Sequence, residues 1–396
     1  MSGLGLALVA LPIVAFGWAY VAYPAILWLA SRGRRADPPA EPESWPDVSV
    51  SLPAYNEEDQ IAGALDHLLA VDYPRERLQI LVVSDASSDA TDEIVRRYAD
   101  RGVELLRLDE RSGKTGAENL AAPHLRADIV VNTDASIRVL PGSIKPLVRP
   151  FQDATVGVVS GRDVSVGESR DATQGESGYV GYEMWVRSLE SATGSIVGAS
   201  GCFYATRNAL HLPPEPAGLS RDFASVLRAR ERGFRSVHVH DAVCLVPRSG
   251  SLRSETRRKA RTMARGLDTL WYHRALLNPF THGGFALKLF SHKLCRWLGF
   301  LVAPLALVGL VLLATESQVA RVVLLVALAG LAYGWGGLMG AEKRRPGGLQ
   351  RLAAFGVATF WAGWIAWLQA LGRSRTATWE PTRRRTVSGP STPTEG

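Results

Sequence analysis

The chain has 396 residues, of which 46% are hydrophobic and 21% are charged. This length exceeds what one compact core usually serves, so we expect a large globular domain together with a second kind of structure. The formal net charge of +7 does not indicate a nucleic-acid-binding protein. Its basic residues cluster beside apolar segments, at 32–35 and 343–345, as they do in proteins whose partner is the lipid bilayer.

Four apolar segments are long enough to cross a bilayer as helices. They are residues 4–30, 297–315, 322–341 and 352–372. The first could be a cleaved signal peptide, but it lacks a basic n-region and exceeds the usual apolar length, which favours a retained anchor. The cluster at 32–35 then predicts a multi-pass protein of the cytoplasmic (inner) membrane, with residues 31 to about 290 facing the cytoplasm.

The C-terminal end carries conflicting topology signals. Four spans that start outside leave residues 373–396 outside, whereas the arginines between 373 and 385 favour the inside. Segment 352–372 contains Trp361, Trp364 and Trp367, so it is the candidate for a re-entrant or interfacial helix. The basic tail that follows is rich in Thr and Pro, a composition typical of disordered chain.

Between the apolar ends, strand patterns alternate with helix patterns. Strands are predicted at 48–52, 78–84, 103–108 and 128–133, and helices at about 57–70, 89–101 and 115–125. This alternation predicts an α/β fold with a mixed, mostly parallel sheet and flanking helices. We expect an anchor at 1–30, a linker at 31–47, a globular domain at 48–266, interfacial helices at 267–296 and spanning helices at 297–372.

Polar residues follow three of the predicted strands. The carboxyl ends of parallel strands meet at one edge of an open sheet, where such sheets bind ligands. After the first strand, Tyr55, Asn56 and Glu57 could hold a base or a ribose. After the second strand, Asp85 could accept a hydrogen bond from a nucleobase N–H.

The strand that ends near residue 133 is followed by Asp134 and Ser136. Their oxygens could hold a divalent cation, Mg²⁺ or Mn²⁺, that bridges a diphosphate. Each polar residue alone could equally be a helix cap or a turn residue, but their common edge favours a ligand site. Two nucleotide motifs are excluded, because Leu108 stands where a P-loop ending at 113–115 needs glycine, and no Gly-x-Gly-x-x-Gly follows the first strand.

Several short motifs occur in a fixed order along the chain. They are Pro53-Ala54-Tyr55-Asn56-Glu57-Glu58, Val82-Val83-Ser84-Asp85, Gly113-Lys114-Thr115-Gly116-Ala117-Glu118-Asn119, Thr133-Asp134-Ala135-Ser136, Gly198-Ala199-Ser200-Gly201, Arg221-Asp222-Phe223 and Arg257-Arg258-Lys259-Ala260-Arg261. The ordered set resembles the family 2 glycosyltransferases of the GT-A fold, in particular the membrane-attached group related to polysaccharide synthases. The resemblance covers residues 48 to about 300, because Ser291-His292-Lys293 and Arg296-Trp297 complete the ordered set.

The resemblance implies a nucleotide-sugar donor, most often a UDP-sugar, and a glycan or lipid-linked acceptor in envelope or exopolysaccharide synthesis. Pro53 and the polar residues after it would contact the donor, with Asp85 at the base and Lys114 near the nucleotide. Asp134 corresponds to the first acid of the family's Asp-x-Asp metal motif. Asp222 matches the general base that takes the acceptor's hydroxyl proton while the sugar is displaced with inversion.

Two further sets complete the expected site. Arg258 and Arg261 share one helical face by their spacing and could stabilise charge on phosphate. A basic juxtamembrane helix that touches lipid headgroups is the alternative for them. Ser200 and Gly201 are expected to line the acceptor pocket, although glycine-rich segments are often only turns.

The chain departs from the family pattern at two places. Ser136 replaces the second acid of the metal motif. The processive members carry Gln-x-x-Arg-Trp, whereas this chain has Arg258 and Thr262 at the outer positions, so a single transfer and polymer synthesis both stay open. Ser136 also motivates an alternative, a catalytically weak subunit or scaffold of an envelope assembly complex. The retained acids and Lys114 argue against it.

Two other readings have less support. A channel-forming protein is disfavoured because the spans carry no acidic residue, and Arg321 at a span edge can snorkel to the interface. The three cysteines are scattered without metal-ligand spacing. We expect them to be small buried residues in a reducing compartment.

Overall fold

The computed structural model describes residues 2–34, 40–166, 174–247, 252–340 and 347–372. The predicted disordered tail at 373–396, and residues 35–39 of the predicted linker, lie outside the described residues. The described chain combines a helix-flanked sheet with long apolar helices from both ends.

The described residues form one eight-stranded sheet. Its strands are β1 Val48–Ala54, β2 Leu78–Ser84, β3 Val103–Arg107, β4 Ile129–Thr133, β5 Arg138–Val139, β6 Val156–Val166, β7 Phe203–Arg207 and β8 Arg235–Pro247. They lie in the order β3-β2-β1-β4-β7-β6-β8-β5. The pairs β1–β2, β1–β4, β2–β3 and β6–β8 are parallel, whereas β7 runs antiparallel to β4 and β6, and β5 to β8. The predicted mixed, mostly parallel sheet is thereby confirmed.

The central strands are covered on both faces. Every residue of β1 and β2 is buried, which explains their nearly continuous apolar sequence. Side chains alternate between the faces of a strand. Ile80 and Val82 accordingly join one core cluster, and Leu81 and Val83 join another.

Helices of the globular part connect the strands and cover the sheet. They are α3 Ile61–Leu69, α4 Thr91–Arg96, α5 Gly113–Ala121, α6 Ile144–Val148, α7 Gln174–Ala192, α8 Asn208–His211, α9 Arg221–Glu231 and α10 Leu252–Tyr272, preceded in the chain by α1 Ser2–Gly17 and α2 Tyr23–Ser31. The helix predicted at about 57–70 begins only at Ile61. The backbone N–H of Glu57 donates to Thr91 Oγ1 instead (2.8 Å), so the first residues after β1 form a loop.

Four helices of the described chain are long and apolar enough to cross a membrane by length and composition. These candidate spans are Gly3–Ser31, Gly284–Ala314, Gln318–Gly340 and Gly348–Leu371. Beyond α10, the chain forms α11 Pro279–His282, α12 Gly284–Leu289, α13 Cys295–Ala314, α14 Gln318–Gly340 and α15 Gly348–Leu371. The second span includes α12, so residues assigned to interfacial helices continue into it. α1 packs on α13, and α15 packs on both α14 and α10.

A buried polar network joins the globular part to the apolar helices. His292 Nδ1 lies 2.6 Å from Glu190 Oε1, and its Nε2 lies 3.0 Å from Glu183 Oε2. Tyr23 donates its hydroxyl to Glu190 (2.5 Å), and Arg296 forms an ion pair with Glu183. We call Tyr23, Glu183, Glu190, His292 and Arg296 the junction cluster. It fixes α7 against the first two candidate spans.

Candidate functional site

The loops after β1 and β2 are bonded to each other at the carboxyl edge of the sheet. Asp85 N donates to Ala54 O (2.9 Å), and Ser88 N donates to the Asn56 side chain (2.8 Å). Asn56 and Ala86 both have left-handed backbone conformations, with φ of 50° and 57°. Such conformations are uncommon for residues other than glycine and persist where surrounding bonds impose them. The edge is therefore held in one shape.

Tyr55 and Glu57 lie at this edge in different environments. The guanidinium of Arg111 stacks over the Tyr55 ring at 3.8 Å from its centroid, a favourable cation–π geometry. Glu57 is buried, and its carboxylate acts on Arg138. Burial lowers the pKa of Arg138, and the negative charge of Glu57 opposes this shift. Pro53 lies inside β1 and is buried with the rest of that strand.

Asp85 bonds to the start of α5. Its two carboxylate oxygens accept hydrogen bonds from Ser112 N (2.7 Å), Ser112 Oγ (3.0 Å) and Gly113 N (2.9 Å). The side chain is buried, and it supplies the anionic cap that a helix N-terminus favours. Sequence reasoning expected Asp85 to meet a nucleobase. That contact stays a prediction, and in this structure the bonds of Asp85 fix the turn that carries Lys114.

Lys114 joins the end of β4 to the loop before β7. Its Nζ forms a 2.5 Å ion pair with Asp134 Oδ1 and donates to Gly201 O at 3.2 Å. Burial favours the neutral amine, but the carboxylates of Asp134, Glu118 and Asp222 together outweigh that effect and raise the pKa of Lys114. The lysine is therefore a cation, and the side chains of Lys114 and Asp134 are each 24% exposed. A ligand at the edge can reach both.

Asp222 lies beside the same loop, in the first turn of α9. Ser220 Oγ donates to its Oδ1 at 2.7 Å, while its Oδ2 lies 3.5 Å from the position that a Cβ on residue 201 would occupy. The Asp222 charge also acts on Lys114. We call Lys114, Asp134, Gly201 and Asp222 the edge site.

Other expected site residues lie outside this contact set. Ser200 is buried, and its hydroxyl donates to Asp163 (2.6 Å) and accepts from Phe203 N (3.0 Å), so it shapes the loop. Arg258 and Arg261 lie on α10, three residues apart. Their proposed contact with the donor phosphates stays a prediction.

Sequence reasoning missed two charged residues beside the edge site. Arg265, one helical turn beyond Arg261, donates to Thr115 Oγ1 (2.8 Å) and Leu219 O (2.7 Å). Glu118, one turn beyond Lys114 on α5, is 1% exposed, and its Oε2 has no hydrogen-bond partner among the described residues. Burial raises the pKa of Glu118, against the opposing charges of Lys114 and Arg221. Arg265 follows Arg261, and Glu118 follows Lys114, by four residues. Residues four apart share one face of a helix, so this spacing could have identified both.

The edge site offers oxygen ligands for a hard divalent cation. Asp134 Oδ2 and the Ser136 hydroxyl make no hydrogen bond to the described part of the chain. Carboxylate and hydroxyl oxygens are the ligands that Mg²⁺ and Mn²⁺ prefer, and such ions complete their shells with phosphate oxygens and water. Asp134 and Ser136 therefore fit a cation that is shared with a bound diphosphate.

Comparisons with known proteins show what the chain resembles. The model of "Glycosyl transferase family 2" matches residues 49–210. A β-monoglucosyldiacylglycerol synthase of Trichormus variabilis is 29% identical over 159 residues, 39% of this chain and 34% of that protein. An N-acetylglucosaminyltransferase of Mesorhizobium japonicum is 28% identical over 235 residues, 54% of each chain. The chain thus spans a third to a half of these curated relatives' lengths.

A solved structure extends the likeness to nearly the whole chain. The mannosyltransferase PcManGT from Pyrobaculum calidifontis, in complex with GDP-Man and Mn²⁺, superposes with a TM-score of 0.68 and 23% identity. The match covers 93% of this chain and 98% of that one. At this identity it shows a common fold, which includes the apolar helices. Residues 49–210 therefore form a domain of the family 2 glycosyltransferase type, and the chain has the GT-A fold.

Proposed function

We propose that the protein is a membrane-bound, inverting glycosyltransferase that moves a sugar from a nucleotide-sugar to a glycan or lipid-linked acceptor. The observation that carries this proposal is the convergence at Lys114, which contacts Asp134 and the Gly201 carbonyl while Asp222 lies beside Gly201. One cation and two carboxylates from three separate elements thus border one partly exposed space. That arrangement suits a substrate with a charged end and a reacting hydroxyl.

The donor's diphosphate would lie on the Asp134 side. Lys114 can turn its ammonium group from Asp134 to a phosphate oxygen, because its side chain is partly exposed and its charge persists. A divalent cation bound by Asp134 and Ser136 would neutralise charge on the leaving diphosphate. Arg258 and Arg261 are proposed to contact the same phosphates. UDP-sugars are the first donors to test, with GDP-mannose included because the structurally similar mannosyltransferase was solved in complex with it.

The acceptor's hydroxyl would lie on the Asp222 side. Asp222 Oδ2 would take the hydroxyl proton as the oxygen attacks the anomeric carbon from the face opposite the diphosphate, which inverts that carbon. Ser220 holds Oδ1 at 2.7 Å and so orients the carboxylate. Gly201 leaves room beside Oδ2, because a Cβ there would lie only 3.5 Å away.

A lipid acceptor is favoured by the apolar helices. An open groove of about 640 Å³ lies between α1, α13 and α15, with Phe16, Tyr20, Ala303 and Phe360 in its wall. Such a groove can hold an acyl or prenyl chain while the headgroup extends toward the globular part. Arg32 and Arg34 follow the first candidate span, which supports a catalytic domain on the cytoplasmic face of the inner membrane.

The test uses the full chain in detergent with labelled UDP- and GDP-sugars, Mn²⁺ or Mg²⁺, and a membrane lipid extract. We expect sugar transfer by wild type and by Asp100→Asn, a matched change at an exposed aspartate outside the edge site. Asp222→Asn and Asp134→Asn should lose it. Equal transfer by these two variants would contradict the proposed roles. Donor binding without transfer from any donor would favour the scaffold alternative.

A further inference from the structure

A second group of potential metal ligands lies on the other side of the loop that carries Gly201. Asp163 on β6 and Cys244 on β8 are paired across adjacent strands, and Cys202 immediately precedes β7, the other neighbour of β6. One ligand atom from each of these residues lies within 4.8 Å of the other two. We call Asp163, Cys202 and Cys244 the thiol cluster.

The spacing within the thiol cluster matches that of zinc ligands. Asp163 Oδ1 lies 3.6 Å from Cys202 Sγ and 3.4 Å from Cys244 Sγ. Zinc bonds of about 2.3 Å to sulfur and about 2.0 Å to oxygen place the two ligands about 3.5 Å apart in a tetrahedron. An ion at the centre could therefore bind all three atoms with small side-chain adjustments. Ser200 Oγ, 2.6 Å from Asp163 Oδ1, or a water can provide the fourth ligand.

The two cysteines make the thiol cluster a poor site for Mg²⁺ or Mn²⁺, the ions expected at the edge site. Thiolate sulfur prefers Zn²⁺ to Mg²⁺ and Mn²⁺, which prefer oxygen. Cys244 is fully buried, and burial, together with Cys202 and Asp163, raises the pKa of its thiol. Without a bound cation, the Cys244 thiol is therefore neutral and shielded from solvent. A bound cation would displace the thiol protons, since coordinating thiols are deprotonated.

We propose that Asp163, Cys202 and Cys244 form a structural zinc site, separate from the divalent-cation site at Asp134. The loop it would fix is the one that meets the edge site. Ser200 and Cys202 flank Gly201, whose carbonyl accepts from Lys114. A cation that binds β6, β8 and residue 202 together would hold this carbonyl at a constant position. The site concerns metal binding alone and does not depend on the proposed transfer activity.

The experiment measures metal content and thiolate coordination in the full chain, purified in detergent without chelator. We expect about one zinc per chain. After exchange with Co²⁺, a thiolate-to-cobalt charge-transfer band should appear in the near ultraviolet. Both signals should be lost in Cys202→Ser and Cys244→Ser. They should persist in Cys295→Ser, which removes the remote third thiol, and in Asp134→Asn, which removes the oxygen ligand of the edge site.

A further variant keeps the test decisive if a cysteine variant fails to fold. Asp163→Asn retains both thiols and should weaken zinc binding at least tenfold in a chelator competition, because it removes the anionic oxygen ligand. Three outcomes would overturn the proposal. They are a wild-type protein that neither contains zinc nor shows the cobalt band, zinc content that is unchanged in Cys202→Ser/Cys244→Ser, and a disulfide between Cys202 and Cys244 in protein purified under reducing conditions.

Discussion

The edge site and the junction cluster use the same residue types in opposite ways. In the junction cluster, Glu190 is fully buried, and its carboxylate is within hydrogen-bonding distance of both the Tyr23 hydroxyl and the His292 ring. In the edge site, Asp134 is 24% exposed, and only one of its oxygens is bonded to the described part of the chain. Buried charged groups whose hydrogen bonds are all formed make a structure rigid. Exposed carboxylates with an oxygen that accepts no hydrogen bond can instead bind a ligand. Exposure and unused hydrogen-bonding capacity, more than residue type, separate the two clusters.

The sharpest test of this comparison is Asp222→Asn in the edge site. We expect kcat to fall by about 10²–10⁴-fold, because the amide cannot accept the acceptor's proton. The dissociation constant of the donor and the melting temperature should stay near the wild-type values, since Ser220 can still bond to the amide oxygen. Single-turnover transfer and donor titration measure the two parts. A parallel loss of thermal stability would mean that Asp222 resembles the junction residues.

The matching change in the junction cluster is Glu190→Ala. It should destabilise the fold by about 1–3 kcal/mol for each buried group left without its hydrogen-bond partner. The reason is that His292 and Tyr23 would both lose their acceptor. Thermal unfolding in detergent measures this, and the activity of the remaining folded protein should be close to normal. Full stability with lost transfer would instead place Glu190 in the reaction.

Lys114→Met tests the cation of the edge site. Loss of a hydrogen bond from a charged group costs about 1.5–3 kcal/mol. The affinity for the nucleotide-sugar should therefore fall by about 10–100-fold. The retained aliphatic chain should preserve most of the packing around α5. Isothermal titration with the donor gives the loss, and Lys145→Met, at an ion pair remote from the edge, is the control. Equal effects of both changes would exclude a specific role for Lys114.

The parts that the sequence predicted well rest on local patterns. Apolar strands with polar ends predicted that Asp85 and Asp134 share one edge of the sheet, and the family resemblance added Lys114 and Asp222. The contacts that the sequence did not predict join residues that are far apart in the chain. The carboxylate of Asp85 meets Gly113 because the chain re-enters the edge 28 residues later, so no neighbouring residue signals its helix-capping bonds.

The thiol cluster and the junction cluster were hidden for the same reason. Cys202 and Cys244 meet Asp163 across separations of 39 and 81 residues, so the absence of metal-ligand spacing in the sequence says nothing about their proximity. Tyr23 and Glu190 are 167 residues apart. Contacts of this kind follow from the order of strands in the sheet and from helix docking, neither of which a local pattern contains.

Glu118 combines features of both clusters, because it is buried like Glu190 yet has an unbonded oxygen beside the edge site. Burial raises the pKa of Glu118 above its ordinary value. In the window between the ordinary and the raised pKa, the folded protein holds a proton that the unfolded chain has lost. Glu118 therefore stabilises the fold less as pH rises through this window.

Glu118→Gln should remove that pH dependence. At pH values below the ordinary glutamate range, variant and wild type should melt at similar temperatures, because both side chains are neutral. Above the raised pKa the variant should melt at the higher temperature, since it buries no charge. Glu76→Gln, at an exposed glutamate, should leave the melting curve unchanged at every pH. A Glu118→Gln variant that is less stable at neutral pH would show that the ionised carboxylate is held by Lys114 and Arg221, as in the junction cluster.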